Sequence, residues 1–292
     1  MSLRFTIFLL AICTILSCQQ VTEGVDPVQE LMEQFNIDQD LISPDGMTID
    51  TRIDVPLDFR RVFYQPGTFG AYLQQLPLKP HGTEVKLYDG SIKENRDIYD
   101  AVVDMDIGDR DLQQCADAVM RLRGEYLFSQ KKYDEIHFNF TNGFRVDYSE
   151  WMKGKHVIVD GNKSYWSSAT TPSNTYEDFR KYMDIIFAYA GTLSLSAELE
   201  KVELKNLTIG DIFIQGGSPG HAVIVVDVAK NAETKEKIFL LAQSFMPAQE
   251  TQILQNPNKE EISPWYSANF EGDLETPQWT FKDSDLKRFP KD

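Results

Sequence analysis

Three kinds of side chain suited to acyl transfer follow one another along this chain. They are a thiol at Cys115, an imidazole at His221, and polar groups at Gln243 and Ser244. A thiol attacks a carbonyl well only as the thiolate, so it needs a base, and the base needs a polar partner to fix its tautomer and ring angle. Cys115 stands in "DLQQCADAV". The spacing predicts a helix opening after Gly108, with Asp109 or Asp111 as its cap and Gln114 closing a capping box. Cys115 then falls about one turn in, where helix dipole and free N–H groups favour the thiolate. Those N–H groups, with Gln114, are candidates to hold an oxyanion. A second reading stands beside this one. Leu112, Cys115, Val119, Leu122 and Tyr126 form one apolar stripe, and a free cysteine on such a stripe is a small buried hydrophobe. Asp109, Asp111 and Asp117 would raise its pKa.

Among four histidines, His221 alone follows a glycine-rich turn, "GGSPG", and opens a long apolar run, "HAVIVVDV". That places an imidazole at a sheet end; the alternative is a strand-capping histidine. "KIFLLAQSF" follows after a polar turn and reads as the hairpin partner, with Val223 opposite Ala242 and His221 opposite Ser244, give or take a residue or two. Gln243 or Ser244 thereby reaches His221. Asp227 lies about 20 Å along the strand, too far to help.

The surrounding elements have to position these groups. "TFGAYLQQL", "NTYEDFRKYMDIIFAYAG" and "LSLSAELEKV" read as helices, as does "PVQELMEQF" near the start. "TIDTRIDV", "TEVKLYDG", "YDAVVDMDIG", "EIHFNF", "HVIVD" and "GDIFIQGG" read as strands, with a turn at Asn142-Gly143. Asp117 and Arg121 are spaced for an ion pair on one helix face. The mixed order implies an α+β single domain, an antiparallel sheet packed against helices, over residues 27–292 with its core at 49–289.

The 292 residues carry a formal charge of −16, which argues against nucleic acid and acidic membrane surfaces as partners. Arg4 and the apolar "FTIFLLAICTIL" read as a targeting segment, residues 1–17, too short to span a bilayer comfortably. "LSC" at its end resembles the lipobox of bacterial lipoproteins. The resemblance implies a lipid anchor on Cys18, a tether over residues 18–26, and an envelope location. With Gln19 next, it implies the outer membrane, on its periplasmic or surface side. Cys13 leaves with the leader, so Cys115 is the one thiol without lipid and no disulfide frames the domain. No cofactor motif appears, and no metal site is expected. The aspartates of "DMDIGDRD" miss the EF-hand pattern, and glycine runs lack the Lys-Ser/Thr of a phosphate loop.

The order Cys115, His221, Gln243 resembles papain-like cysteine peptidases, and within them the NlpC/P60 and CHAP amidases of bacterial cell walls, where a Gly-Asp pair precedes the histidine strand; Gly210-Asp211 holds that place here. The segment before Cys115 differs from the Asp-Cys-Ser-Gly type of those amidases. "DLQQCADAVMRLRGEYLF", "YAGTLSLSAEL", "GDIFIQGGSPGHAVIVVDVA" and "LLAQSFMPAQE" resemble a bacterial lipoprotein family described as a domain of unknown function (4846), over about Ile49 to Phe289. Two functional expectations follow. One is an envelope thiol hydrolase or amidase acting on peptides or peptidoglycan. The other is a non-catalytic lipoprotein that binds a glycan, peptide or protein.

Overall fold

Eleven consecutive residues, His221–Asn231, form the strand around which the molecule is built, and the first nine of them are buried. The computed structural model describes residues 39–290. The leader, Cys18, the tether and the "PVQELMEQF" helix lie outside the described residues. All that follows concerns the unit that begins at Leu41.

In chain order the helices are α1 (Ile49–Arg52), α2 (Phe69–Gln74), α3 (Cys115–Ser129), α4 (Tyr148–Trp151), α5 (Tyr176–Tyr189) and α6 (Thr192–Glu198). The strands are β1 (Phe59–Arg61), β2 (Tyr99–Val102), β3 (His137–Asn139), β4 (Arg145–Asp147), β5 (Val157–Asp160), β6 (Lys163–Trp166), β7 (Glu200–Lys201) and β8 (Ile212–Gln215). There follow β9 (His221–Asn231), β10 (Lys237–Gln243), β11 (Gln252–Leu254), β12 (Tyr266–Ser267), β13 (Asp273–Thr276), β14 (Trp279–Lys282) and β15 (Leu286–Arg288). Nine of them make one sheet, β2-β11-β10-β9-β8-β15-β7, with β1 added on β9 and β12 on β10. All its ladders are antiparallel. The expected α+β class and single antiparallel-sheet domain are what the chain adopts.

Alternation along β9 sorts its side chains between two sides. Toward one side point His221 and Val223, with Gln215 and Phe213 paired beside them on β8. Phe213 meets Phe239 at 5.8 Å and Phe281 of β14 at 6.1 Å, so this side carries an aromatic layer. The other side carries helices. Asp227 points there and accepts from Gln74 Nε2 of α2 at 2.7 Å, and α2 meets α3 through Phe69 and Tyr126 at 5.1 Å. A bulge shifts the β9–β10 register between Leu240 and Leu241: Leu240 pairs with Asp227, Leu241 with Val225 and Ala242 with Ile224. The pairing near the site is thus one residue off the expected match of Ala242 with Val223.

Several local expectations change. "TIDTRIDV" holds the short helix α1 rather than a strand, because Thr51 Oγ1 takes the N–H groups of Met47 and Thr48 and turns the chain. "TEVKLYDG" makes only isolated bridges, Lys86 to Ile92 and Leu87 to Gln249, since Asp89 folds Ser91 back into a tight turn. The Asn142-Gly143 turn joins β3 to β4 within one hairpin, and β5 pairs with β6 in another. Arg121 is bonded to Glu125 at 2.6 Å, not to Asp117.

Gly210-Asp211 opens β8 as an anchor. The Asp211 carboxylate is fully buried and takes Arg288 Nε at 2.6 Å and Nη2 at 2.9 Å, tying β15 to the sheet. Breaking such a pair from one side strands a buried charge. Arg288→Ala is therefore expected to destabilise the protein by about 3 kcal/mol, read as a shift of the chemical denaturation midpoint. Midpoints that coincide with wild type would show that this pair contributes little.

Candidate functional site

Cys115 is the first residue of α3, not one turn in. The capping pair has moved along the chain. Asp117 Oδ2 accepts the Gln114 main-chain N–H at 3.0 Å, while Asp111 Oδ1 is spent on Gln114 Nε2 at 3.0 Å and Ala248 N at 2.7 Å. The thiol therefore stands where the helix N–H groups have no partners of their own. The main-chain N–H groups of Ala116, of Cys115 itself and of Ala222, the residue after His221, favour its thiolate form. Cys115 is 8% exposed and opens on a groove of about 540 Å³. Asp117, Thr141, Phe187, Leu193, Gly220 and Met246 are among the residues that line that groove.

The turn before His221 is shaped by contact. A Cβ on Gly220 would lie 2.5 Å from Thr192 Oγ1, 2.6 Å from the Gly217 carbonyl oxygen and 2.8 Å from that of Gln215. Only glycine fits where backbone approaches backbone this closely. Thr192, at the start of α6, donates to the Gly217 carbonyl at 3.2 Å and so holds the turn against the groove.

His221 is 1% exposed and bonded through Nε2 to Gln243 Oε1 at 2.9 Å. The direction of that bond follows from a chain of amides behind it. Lys93 Nζ has only hydrogens to give, and it donates to Gln278 Oε1 at 3.0 Å. The same Oε1 takes Gln243 Nε2 at 2.8 Å. Gln243 is thereby obliged to present its oxygen to the ring, so Nε2 carries the hydrogen and Nδ1 is left as the basic nitrogen. Phe245, Trp279 and Phe281 enclose the ring at 4.9, 5.4 and 5.9 Å.

The expected group is thus assembled in two parts. His221 and Gln243 are joined, and Gln243 rather than Ser244 is the partner. Gln243 and His221 point to the same side of the sheet, whereas Ser244 points to the other. Its Oγ lies between the carbonyl oxygens of Gln113 and Gln249, at 3.1 and 2.7 Å, and ties the approach to α3 to the end of β10. Cys115 and Gln114 share the groove. Among the described residues no hydrogen bond joins the sulfur to the imidazole; their link is the Ala222 amide. Gln114 has its side chain tied to Asp111, which leaves the main-chain N–H groups as the freer oxyanion donors. Lys93, Asp117, Thr192 and Gln278 were not expected as members. Lys93 and Gln278 sit in loops without periodic pattern, and Asp117 looks like half of a surface ion pair until Arg121 is seen to be taken.

Burial drives each ionisable group here toward its neutral form. It pushes the Cys115 thiol up to about 11, with the Asp117 charge adding to the effect and the Ala116 and Ala222 N–H groups opposing it. It lowers His221 to about 4, against the Gln243 bond and helped by the Lys93 charge. It lifts Asp117 to about 8 and lowers Lys93 to about 8. The resting pair is a thiol and a neutral imidazole. Alkylation by iodoacetamide follows the thiolate fraction. Its rate at Cys115 is therefore expected to keep climbing toward pH 11. Asp117→Asn keeps an acceptor for the Gln114 N–H, removes the neighbouring charge and should shift the rate profile to lower pH. A wild-type plateau near pH 8.5, the range of an ordinary thiol, would refute this account.

Comparison with known proteins adds one finding. No curated protein and no solved structure matches this chain. A family model does, over residues 49–288, which takes in α1, the whole nine-stranded sheet and every residue of the groove. The chain belongs to the family described as domain of unknown function (4846).

Proposed function

We propose that this protein is a thiol hydrolase or acyltransferase with Cys115 as nucleophile, His221 as general base and then acid, and Gln243 as the residue that orients the imidazole. The observation that carries the reading is the His221–Gln243 bond, whose direction Lys93 and Gln278 dictate, one residue from the Ala222 amide that favours the Cys115 thiolate. A strand-capping histidine would have no need of a three-member relay to choose its tautomer.

The step runs from a neutral pair. As the sulfur attacks the acyl carbon, the thiol proton passes to Nδ1 of His221 and a sulfur–carbon bond forms. The developing oxyanion is held by main-chain N–H groups at the start of α3. The imidazolium, steadied by Gln243, returns its proton to the leaving amine as the carbon–nitrogen bond breaks. Water, deprotonated by the same nitrogen, then releases the acid and regenerates the thiol. Since both groups are uncharged at rest, the ion pair forms on the substrate and not before it. The resemblance to cell-wall amidases and the lipobox-like leader support peptide or peptidoglycan stem-peptide amides as substrates. They also support anchorage through Cys18 in the envelope, on the outer membrane.

A small activated ester tests the chemistry without knowledge of the substrate. With 4-nitrophenyl acetate, one acetyl group per chain is expected on Cys115 by peptide mass spectrometry, none in Cys115→Ala, and formation slowed at least about 100-fold in His221→Ala. Acetylation that is indifferent to His221, or absent altogether, would favour a non-catalytic envelope lipoprotein that uses the groove for binding. The anchor has a separate check: labelling of the cells with radioactive palmitate should mark the wild-type chain and not Cys18→Ala. Unlabelled wild type would remove the lipoprotein assignment.

A further inference from the structure

Asp117 is a carboxylate of the groove wall whose chemistry the acyl-transfer reading leaves unused. Its residue is 6% exposed. Oδ2 accepts the Gln114 N–H at 3.0 Å, but Oδ1 is buried and has no hydrogen-bond partner. Arg121, the nearest cation by sequence, is turned away onto Glu125, the Gln113 side chain and the Asp106 carbonyl. A buried carboxylate oxygen without a partner is costly, and a donor arriving from outside removes that cost. The groove that reaches Asp117 is the same one that reaches Cys115, two residues earlier on α3. None of the residues that line the groove is a cation.

We infer that the groove holds, at Asp117, a subsite for a primary ammonium group, and that the acyl compound attacked by Cys115 carries a free amino group close to the reacting carbonyl. The second half rests on the acyl-transfer reading; the first does not. An ammonium that reaches the Asp117 carboxylate makes a charge-assisted hydrogen bond with a desolvated group. At alkaline pH, where Asp117 is ionised, it also cancels the negative charge that opposes ionisation of Cys115, so a substrate bearing the amine eases formation of the thiolate that attacks it. A substrate without the amine leaves the thiol as the resting protein holds it. Amino-terminal peptides and amino-acid amides belong to the class admitted; acylated amino termini do not.

The experiment reads occupancy and not turnover. Glycinamide and glycolamide differ only in an amine against a hydroxyl. At mildly alkaline pH, glycinamide is expected to alter the rate of Cys115 alkylation by iodoacetamide saturably, and glycolamide to have no effect at the same concentration. Charged methanethiosulfonates give a second reading. The aminoethyl reagent should outpace the sulfonatoethyl reagent at Cys115 by at least about tenfold more than it does at a small free thiol. That excess should collapse in Asp117→Asn and persist in Glu233→Gln, which removes one charge from the distant β9–β10 turn and controls for the overall negative field. Equal responses to the two amides, or an excess that survives Asp117→Asn, would overturn the subsite. Should Asp117→Asn fail to fold, the amide pair on wild type decides alone. If Cys115 is never acetylated by the ester yet the amine preference holds, the subsite stands and the acyl-transfer reading falls.

Discussion

Desolvation is the constraint on which this site turns. A thiol, an imidazole, a carboxyl and an amine lie in one neighbourhood, and burial biases every one toward its uncharged form. A helix N-terminus would ordinarily favour a thiolate, but here the apolar surroundings and the Asp117 charge outweigh it. At rest the arrangement holds its groups near their uncharged forms. On the proposed reading, charge appears when a ligand enters the groove and supplies a partner.

The sheet makes this possible by taking the burial upon itself. Strand β9 is covered on both sides, by the α2 and α3 helices and by the aromatic layer of Phe213, Phe239 and Phe281. Its first residue inherits that dry setting while still adjoining an open groove through Gly220. The β13–β14 hairpin joins in from far along the chain. Gln278 lies in its turn and Trp279 begins its second strand, and both meet the His221–Gln243 pair.

Much of this was legible in the sequence where one physical rule dominated. Apolar runs announced β8, β9 and β10, and the glycine-rich turn singled out His221 among four histidines. The hairpin placed Gln243 within reach, although the bulge shifted the pairing by one residue. Where rules competed, the reading failed. Two aspartates before Cys115 offered themselves as caps, and tertiary demands from Ala248 claimed Asp111, which pushed the helix start to Cys115 itself. "TEVKLYDG" alternates like a strand but has too few partners to pair along its length. Lys93 had no pattern at all, because a residue selected by buried contacts to distant parts of the chain leaves no periodic trace.

A bulge in β9 lies opposite Leu240 and Leu241. His221 and Asp227 are an even number of positions apart, so an unbroken pleat would aim both at the same side of the sheet. The extra residue resets the phase between them. One continuous strand thereby delivers an imidazole to the aromatic layer and a carboxylate to the helices. Loss of a single residue at Val226 would send one of the two to the wrong side, so β9 tolerates changes of letter far more readily than a change of length.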